Sequence, residues 1–208
     1  MLWLPLYLGM SLASFAGSHE GDGEKFVANP LVCKKCHQAQ YDFWETTKHS
    51  SAYLVLYSKN QHFDPSCVGC HTLGFRESGG FQAITRPAMT TAPGNPKKPW
   101  VESLMEEVFE GDNHTALDSR KDPARYSKLA KRYHETVNAK LAGGTVSQSF
   151  ISVQCEHCHG SRVEHIKTRK RGVRFNVNTC RSCHRPPNAP KFDVAKLKSQ
   201  SCPKMAHD

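Results

Sequence analysis

Four copies of one five-residue unit constrain this chain more than anything else in it. They are Cys33-Lys34-Lys35-Cys36-His37, Cys67-Val68-Gly69-Cys70-His71, Cys155-Glu156-His157-Cys158-His159 and Cys180-Arg181-Ser182-Cys183-His184. Together they use eight of the nine cysteines. Two thiols three residues apart lie on one side of a helical turn, where both reach the vinyl groups of a single porphyrin. The histidine that follows then falls beneath the iron as its proximal ligand. Zinc ribbons also pair Cys-x-x-Cys motifs, and the interval from Cys158 to Cys180 is close to the ribbon range. Yet a zinc site has no need for histidine after the second cysteine in every copy. The units therefore read as four c-type haem attachment sites. Cys33, Cys36, Cys67, Cys70, Cys155, Cys158, Cys180 and Cys183 are the thioether positions. His37, His71, His159 and His184 are the proximal ligands.

Four haems bear on the fold. The chain of 208 residues is 38% apolar with a mean hydropathy of −0.58, and part of that apolar content lies in its first sixteen residues. The remainder makes only a thin side-chain core, and porphyrins would supply the missing bulk. The expected fold is mainly α with extensive loops and little or no β, wrapped around four covalently bound haems and largely unfolded without them. A net charge of +9 suits nucleic acid, an anionic membrane or an acidic protein. No nucleic-acid motif accompanies it, so redox protein partners with an acidic docking surface are expected. The basic run from Lys167 to Arg174 reads equally as a solvated loop, a docking patch or a partner for haem propionates.

Residues 1–16 are apolar and uncharged and end Ala13-Ser14-Phe15-Ala16, a small-x-small pattern that fits a secretory signal cleaved after Ala16. No Lys or Arg precedes the apolar run, which leaves an N-terminal membrane anchor as the alternative. The run is too short to cross a bilayer, and no later stretch is long and apolar enough to do so. Residues 17–208 read as a single tetrahaem domain of a periplasmic or extracellular protein, with no transmembrane span in the mature chain.

Iron also needs ligands on its far side. Residues 38–57 read as one helix, with Tyr41, Trp44, His49, Ala52 and Leu56 at near-helical spacing. His49 lies twelve residues beyond His37, about 18 Å along a continuous helix. It cannot serve the haem of His37 and should cap a different iron. His165, six residues after His159, should likewise serve a neighbouring haem. His134 sits in a helix opened by Asp122-Pro123 and running to about Leu141, and is preferred over His114 as a further ligand. His157 is read as a spacer inside its unit. Gly74, Gly79 and Gly80 suggest a loop pressed on a haem face. Residues 101–111 form a short helix whose Glu102, Glu106, Glu107 and Glu110 make a solvated face. Cys202 stands outside any unit, and His207 alone would be a frayed terminus.

Several segments together resemble the tetrahaem cytochrome c-554 family. They are Trp44 to His49, Phe63-Asp64-Pro65-Ser66-Cys67-Val68-Gly69-Cys70-His71-Thr72-Leu73-Gly74-Phe75, Val153 to Gly160 with His165, and Asn188-Ala189-Pro190-Lys191-Phe192-Asp193. The ending Pro203-Lys204-Met205-Ala206-His207 matches related multihaem proteins and implies that His207 is an axial ligand. Residues 87–144 match poorly and read as a family-variable insert. The resemblance implies three bis-histidine haems and one five-coordinate haem, the latter at His71. It also implies an electron carrier rather than an enzyme. Two other functions stay open. One is a haem enzyme acting on a small nitrogen or sulfur species at the open iron. The other is a homo-oligomeric filament in which His19 or His207 ligates a haem of the next chain.

Overall fold

The structure is a computed structural model and describes residues 25–81, 100–171, 178–187, 189, 192 and 193. The expected signal at residues 1–16, His19, Cys202 and His207 lie outside the described residues. Those described form helices joined by loops: α1 (Pro30–Lys34), α2 (Gln38–Glu45), α3 (Ala52–Ser58), α4 (Pro65–His71), α5 (Trp100–Phe109), α6 (Pro123–Ala142), α7 (Cys155–His159), α8 (Val163–Thr168) and α9 (Asn178–Cys183). Among the described residues the only β pairing is an isolated antiparallel bridge between Thr72 and Ile151. The mainly helical expectation holds.

Three of these helices begin with the same local grammar. Asn29-Pro30, Asp64-Pro65 and Asp122-Pro123 each place a capping side chain before a proline in the first turn. Each cap accepts a backbone N–H: Leu31 at 3.1 Å, Ser66 at 2.8 Å and Arg125 at 2.9 Å. Proline costs nothing there because its missing N–H would have no helical partner, and each cap stabilises by about 1 kcal/mol.

The helix expected over residues 38–57 is broken. α2 stops at Glu45 and α3 starts at Ala52. The hydroxyls of Thr46 and Thr47 donate back to the carbonyls of Phe43 and Trp44, each at 2.7 Å, and that of Ser50 turns to Thr47. Such side-chain bonds offer the backbone an alternative to helix. His49 therefore stands in a turn, free of any helix face.

The side-chain core is not spread thinly. It gathers Tyr53, Leu54 and Leu56 of α3, Val68 of α4, Leu104, Met105, Val108 and Phe109 of α5, and Leu129 and Tyr133 of α6. Most of it comes from residues 101–133. By contrast, α8 and α9 bury no residue fully. The glycine loop also differs from expectation. A Cβ on Gly74, where φ is +64°, would meet the ring of Phe26, and one on Gly80 would meet the Gly74 backbone. The close approach that needs glycine is between protein and protein.

Candidate haem-binding centre

Each unit has a short helix to carry it: α1 ends within the first, and α4, α7 and α9 carry the others. The units meet in pairs. The thiol of Cys33 hydrogen-bonds that of Cys155, which lowers the pKa of Cys33 and raises that of Cys155. Burial, with Cys183 alongside, pushes the Cys70 thiol up to about 11. α7 packs on α9. Contacts thus run from the first unit to the third, the third to the fourth and the fourth to the second. All eight thiols are free of disulfides; on haem attachment each becomes a thioether with no proton to lose.

Two histidine pairs lie between units. The rings of His37 and His165 stack with centroids 6.2 Å apart and planes inclined by 28°. Those of His49 and His184 are 5.9 Å apart, inclined by 59°. His165 thus faces the first unit and His49 the fourth, each away from its nearest unit in sequence. Metal–imidazole bonds of about 2 Å on either side would put two coordinating nitrogens about 4 Å apart and their ring centroids roughly 2 Å further. The centroid spacing of both pairs is that of two imidazoles sharing one metal.

Hydrogen bonding sorts the ring nitrogens. His71 Nδ1 lies 2.8 Å from the carbonyl of Ala52, and His165 Nδ1 lies 2.7 Å from that of Lys170. A carbonyl only accepts, so each Nδ1 carries the proton and each Nε2 keeps a lone pair for a metal. His157 is the reverse. Its Nδ1 accepts from the backbone N–H of Gln154 at 2.9 Å, so Nε2 carries the proton. This agrees with a spacer role. His134 Nε2 lies 3.1 Å from Ser50 Oγ, whose single hydrogen is directed to backbone carbonyls; His134 is then the donor. Burial lowers the pKa of His49, His71, His134, His159 and His184, keeping the imidazoles neutral as ligation requires. Burial and the charge of His71 lower the pKa of both His49 and His157, so these two histidines lie near His71.

The donor set suits porphyrin better than a bare ion. Among the described residues no group of three or more His, Cys, Asp or Glu side chains converges to hold a metal, whereas tetrahedral zinc needs four ligands. Haem asks the protein for one or two axial ligands, and the paired histidines offer that. Beside α1 and α8 lies an open cleft of about 270 Å³, lined by Val27, Val32, Val163 and Ile166 together with Asn29, Ser147, Gln148 and Lys167. Arg169 Nη1 lies 3.4 Å from Cys36 Sγ, and Lys167, Arg169, Lys170 and Arg171 form an exposed basic run.

Two features were missed in the sequence. Glu156, within the third unit, is buried, and its carboxylate accepts the backbone N–H groups of Val27 at 3.1 Å, Ala28 at 2.8 Å and Arg162 at 2.8 Å. It ties the chain's entry to the third unit. Glu102 is not on a solvated face as expected. It is buried 3.3 Å from His62, which is buried too, while Glu106, Glu107 and Glu110 are exposed. Its spacing to Met105 and Phe109, i, i+3 and i+7, was the available sign that Glu102 faces inward.

Comparison with known proteins agrees with this chemistry. The family model "Cytochrome c554 and c-prime" matches residues 32–92. A protein named cytochrome c-554, from Nitrosomonas europaea, is 31% identical over 143 residues, covering 61% of this chain and 54% of the relative. The match thus spans about half the relative's length. No solved structure matches significantly. Both positive findings bear out the resemblance read from the sequence.

Proposed function

From a cytochrome c-554 family segment at residues 32–92, we propose that this chain is an exported c-type cytochrome that passes electrons between redox proteins on four covalently attached haems. Bound haem supplies the one-electron ferric–ferrous couple. The chain's own part is to fix the macrocycles, set their axial ligands and exclude water from them. The observation that carries the reading is the pair of inter-unit histidine couples, His37 with His165 and His49 with His184. The sequence alone allowed these histidines to serve several irons; their placement supports one assignment each. His71 is the proximal ligand of a five-coordinate haem. His159 takes its second ligand from His207 or His134, and His207 is preferred because His134 donates to Ser50. Unit contacts support an electron path from first to third to fourth to second. The exposed basic run beside Cys36 makes the first haem the docking end for an acidic partner.

The test is production with a periplasmic haem-attachment system, followed by a haem-to-polypeptide ratio and an optical redox titration. Four covalent haems that reduce and reoxidise reversibly are expected. A zinc-loaded protein or one without covalent haem would overturn the reading.

A further inference from the structure

The second unit is bordered by a buried polar site that haem attachment does not use. His62 and Glu102 are each only 4% exposed, with Nε2 and Oε1 3.3 Å apart. The alignment is poor, and neither His62 nitrogen nor Glu102 Oε1 completes a hydrogen bond. Aromatic rings enclose them: Phe63 at 3.8 Å and Tyr57 at 4.5 Å lie tilted against the His62 ring, with Tyr53 edge-on at 6.4 Å. The Tyr53 hydroxyl is itself buried and unbonded. Other titratable groups facing the site are few. Tyr57, on α3, is pushed up to about 12 by burial and by Glu102 and Glu106 of α5. Tyr133 of α6 acts on Tyr53. Among the described residues no lysine or arginine forms an ion pair with either.

This placement is unusual on energetic grounds. An apolar pair of similar volume would stabilise such a core as well or better, and two unmade hydrogen bonds add a further cost. The site is also close to the second haem position. Tyr53 directly follows Ala52, whose carbonyl holds the proximal His71. Val68 of the second unit belongs to the same apolar cluster, and Cys67 packs against it. Yet Gln61 and Asp64, on either side of His62 in the chain, are exposed, so water lies one layer away.

We infer that His62 and Glu102 form a proton-accepting site coupled to electron uptake at the second haem. The inference rests on the haem reading of the second unit. As one electron arrives from a one-electron haem donor and ferric iron becomes ferrous, the His62–Glu102 pair takes up one proton from water. Before uptake the pair is imidazole beside carboxylic acid, or its tautomer imidazolium beside carboxylate; after uptake it is imidazolium beside carboxylic acid, one proton more. The added positive charge offsets the added electron in a medium where neither is well solvated. Reduction and protonation then favour each other, and the coupling is reciprocal.

The experiment is a potentiometric titration of the tetrahaem protein across pH, on wild type and Glu102→Gln, with haem occupancy of Cys67 and Cys70 checked by peptide mass. In the wild type the affinity of one haem for its electron should fall tenfold for each pH unit of rise within the coupled range, a shift of about 59 mV for one electron. In Glu102→Gln that slope should flatten while the other haems keep theirs. Infrared difference spectra of the wild type, reduced minus oxidised, should show a carboxylic acid band that moves in heavy water. This readout stands even if Glu102→Gln and the alternative His62→Gln fail to mature. A pH-independent haem in the wild type, an unchanged slope in Glu102→Gln or the absence of a carboxyl band would overturn the inference. Absence of haem from Cys67 and Cys70 would instead overturn the haem reading beneath it.

Discussion

The helices α3 to α6 and the helices α1 and α7 to α9 hold their haem units by different means. In the first region side chains from four helices close on one another, and Leu104, Met105, Val108 and Phe109 are wholly buried without help from any cofactor. In the second, α8 and α9 bury nothing fully, and the parts are tied by single polar links. These include the Glu156 carboxylate on three backbone amides, Trp44 Nε1 on the carbonyl of Val153 at 2.8 Å, and the two histidine pairs. The first region packs on its own side chains. The second, in the proposed reading, would depend on haem for its interior.

The sharpest way to break this comparison is to remove haem from one side. In Cys155→Ala/Cys158→Ala, amide exchange in α7 to α9 and in residues 25–29 should approach the unfolded limit, while α5 and α6 stay protected. Uniform loss across all helices would contradict the division. Next in size, Leu104→Ala should cost about 2–5 kcal/mol in urea unfolding, and the visible spectrum of the remaining folded protein should not change. Glu156→Gln sets an amide N–H against backbone donors. It should cost roughly 1.5–3 kcal/mol, seen as faster exchange at Val27, Ala28 and Arg162, and leave α5 and α6 untouched.

The smallest effect concerns pH. Arg125 Nε lies 3.0 and 3.1 Å from the Asp112 carboxylate oxygens, and these bonds hold the Asp112 pKa below its usual value. A folded pKa that is depressed contributes stability above the unfolded value of about 3.9, and that stability is lost as pH falls through the folded value. Asp112→Asn should therefore lower Tm by roughly 2–4 °C at neutral pH. The difference should close as the pH drops below the carboxylate range.

The haem reading rests on fixed residues at fixed spacing, which covalent attachment demands and which the sequence carries without a structure. The helix starts at Pro30, Pro65 and Pro123 were equally open to reading, since capping is local. The break before His49 was not, because Thr46, Thr47 and Ser50 act through side-chain bonds that helical periodicity ignores. Glu102 was misread for a related reason. A single charge on an apolar face looks like noise until a buried His62, forty residues away, gives it a partner. The thin core expected from composition was an average over two unlike halves. Much of the buried apolar content is concentrated in residues 101–133.

The most direct test is a ferric electron paramagnetic resonance spectrum of the fully loaded protein, with haem counted on the same sample. The account predicts low-spin signals from haems with two histidine ligands and a high-spin signal amounting to one haem in four, from the position of His71. His49→Ala and His165→Ala should each convert one further haem to high spin. Zinc in place of haem, a wholly low-spin spectrum, or a variant in which no further haem becomes high-spin would contradict it.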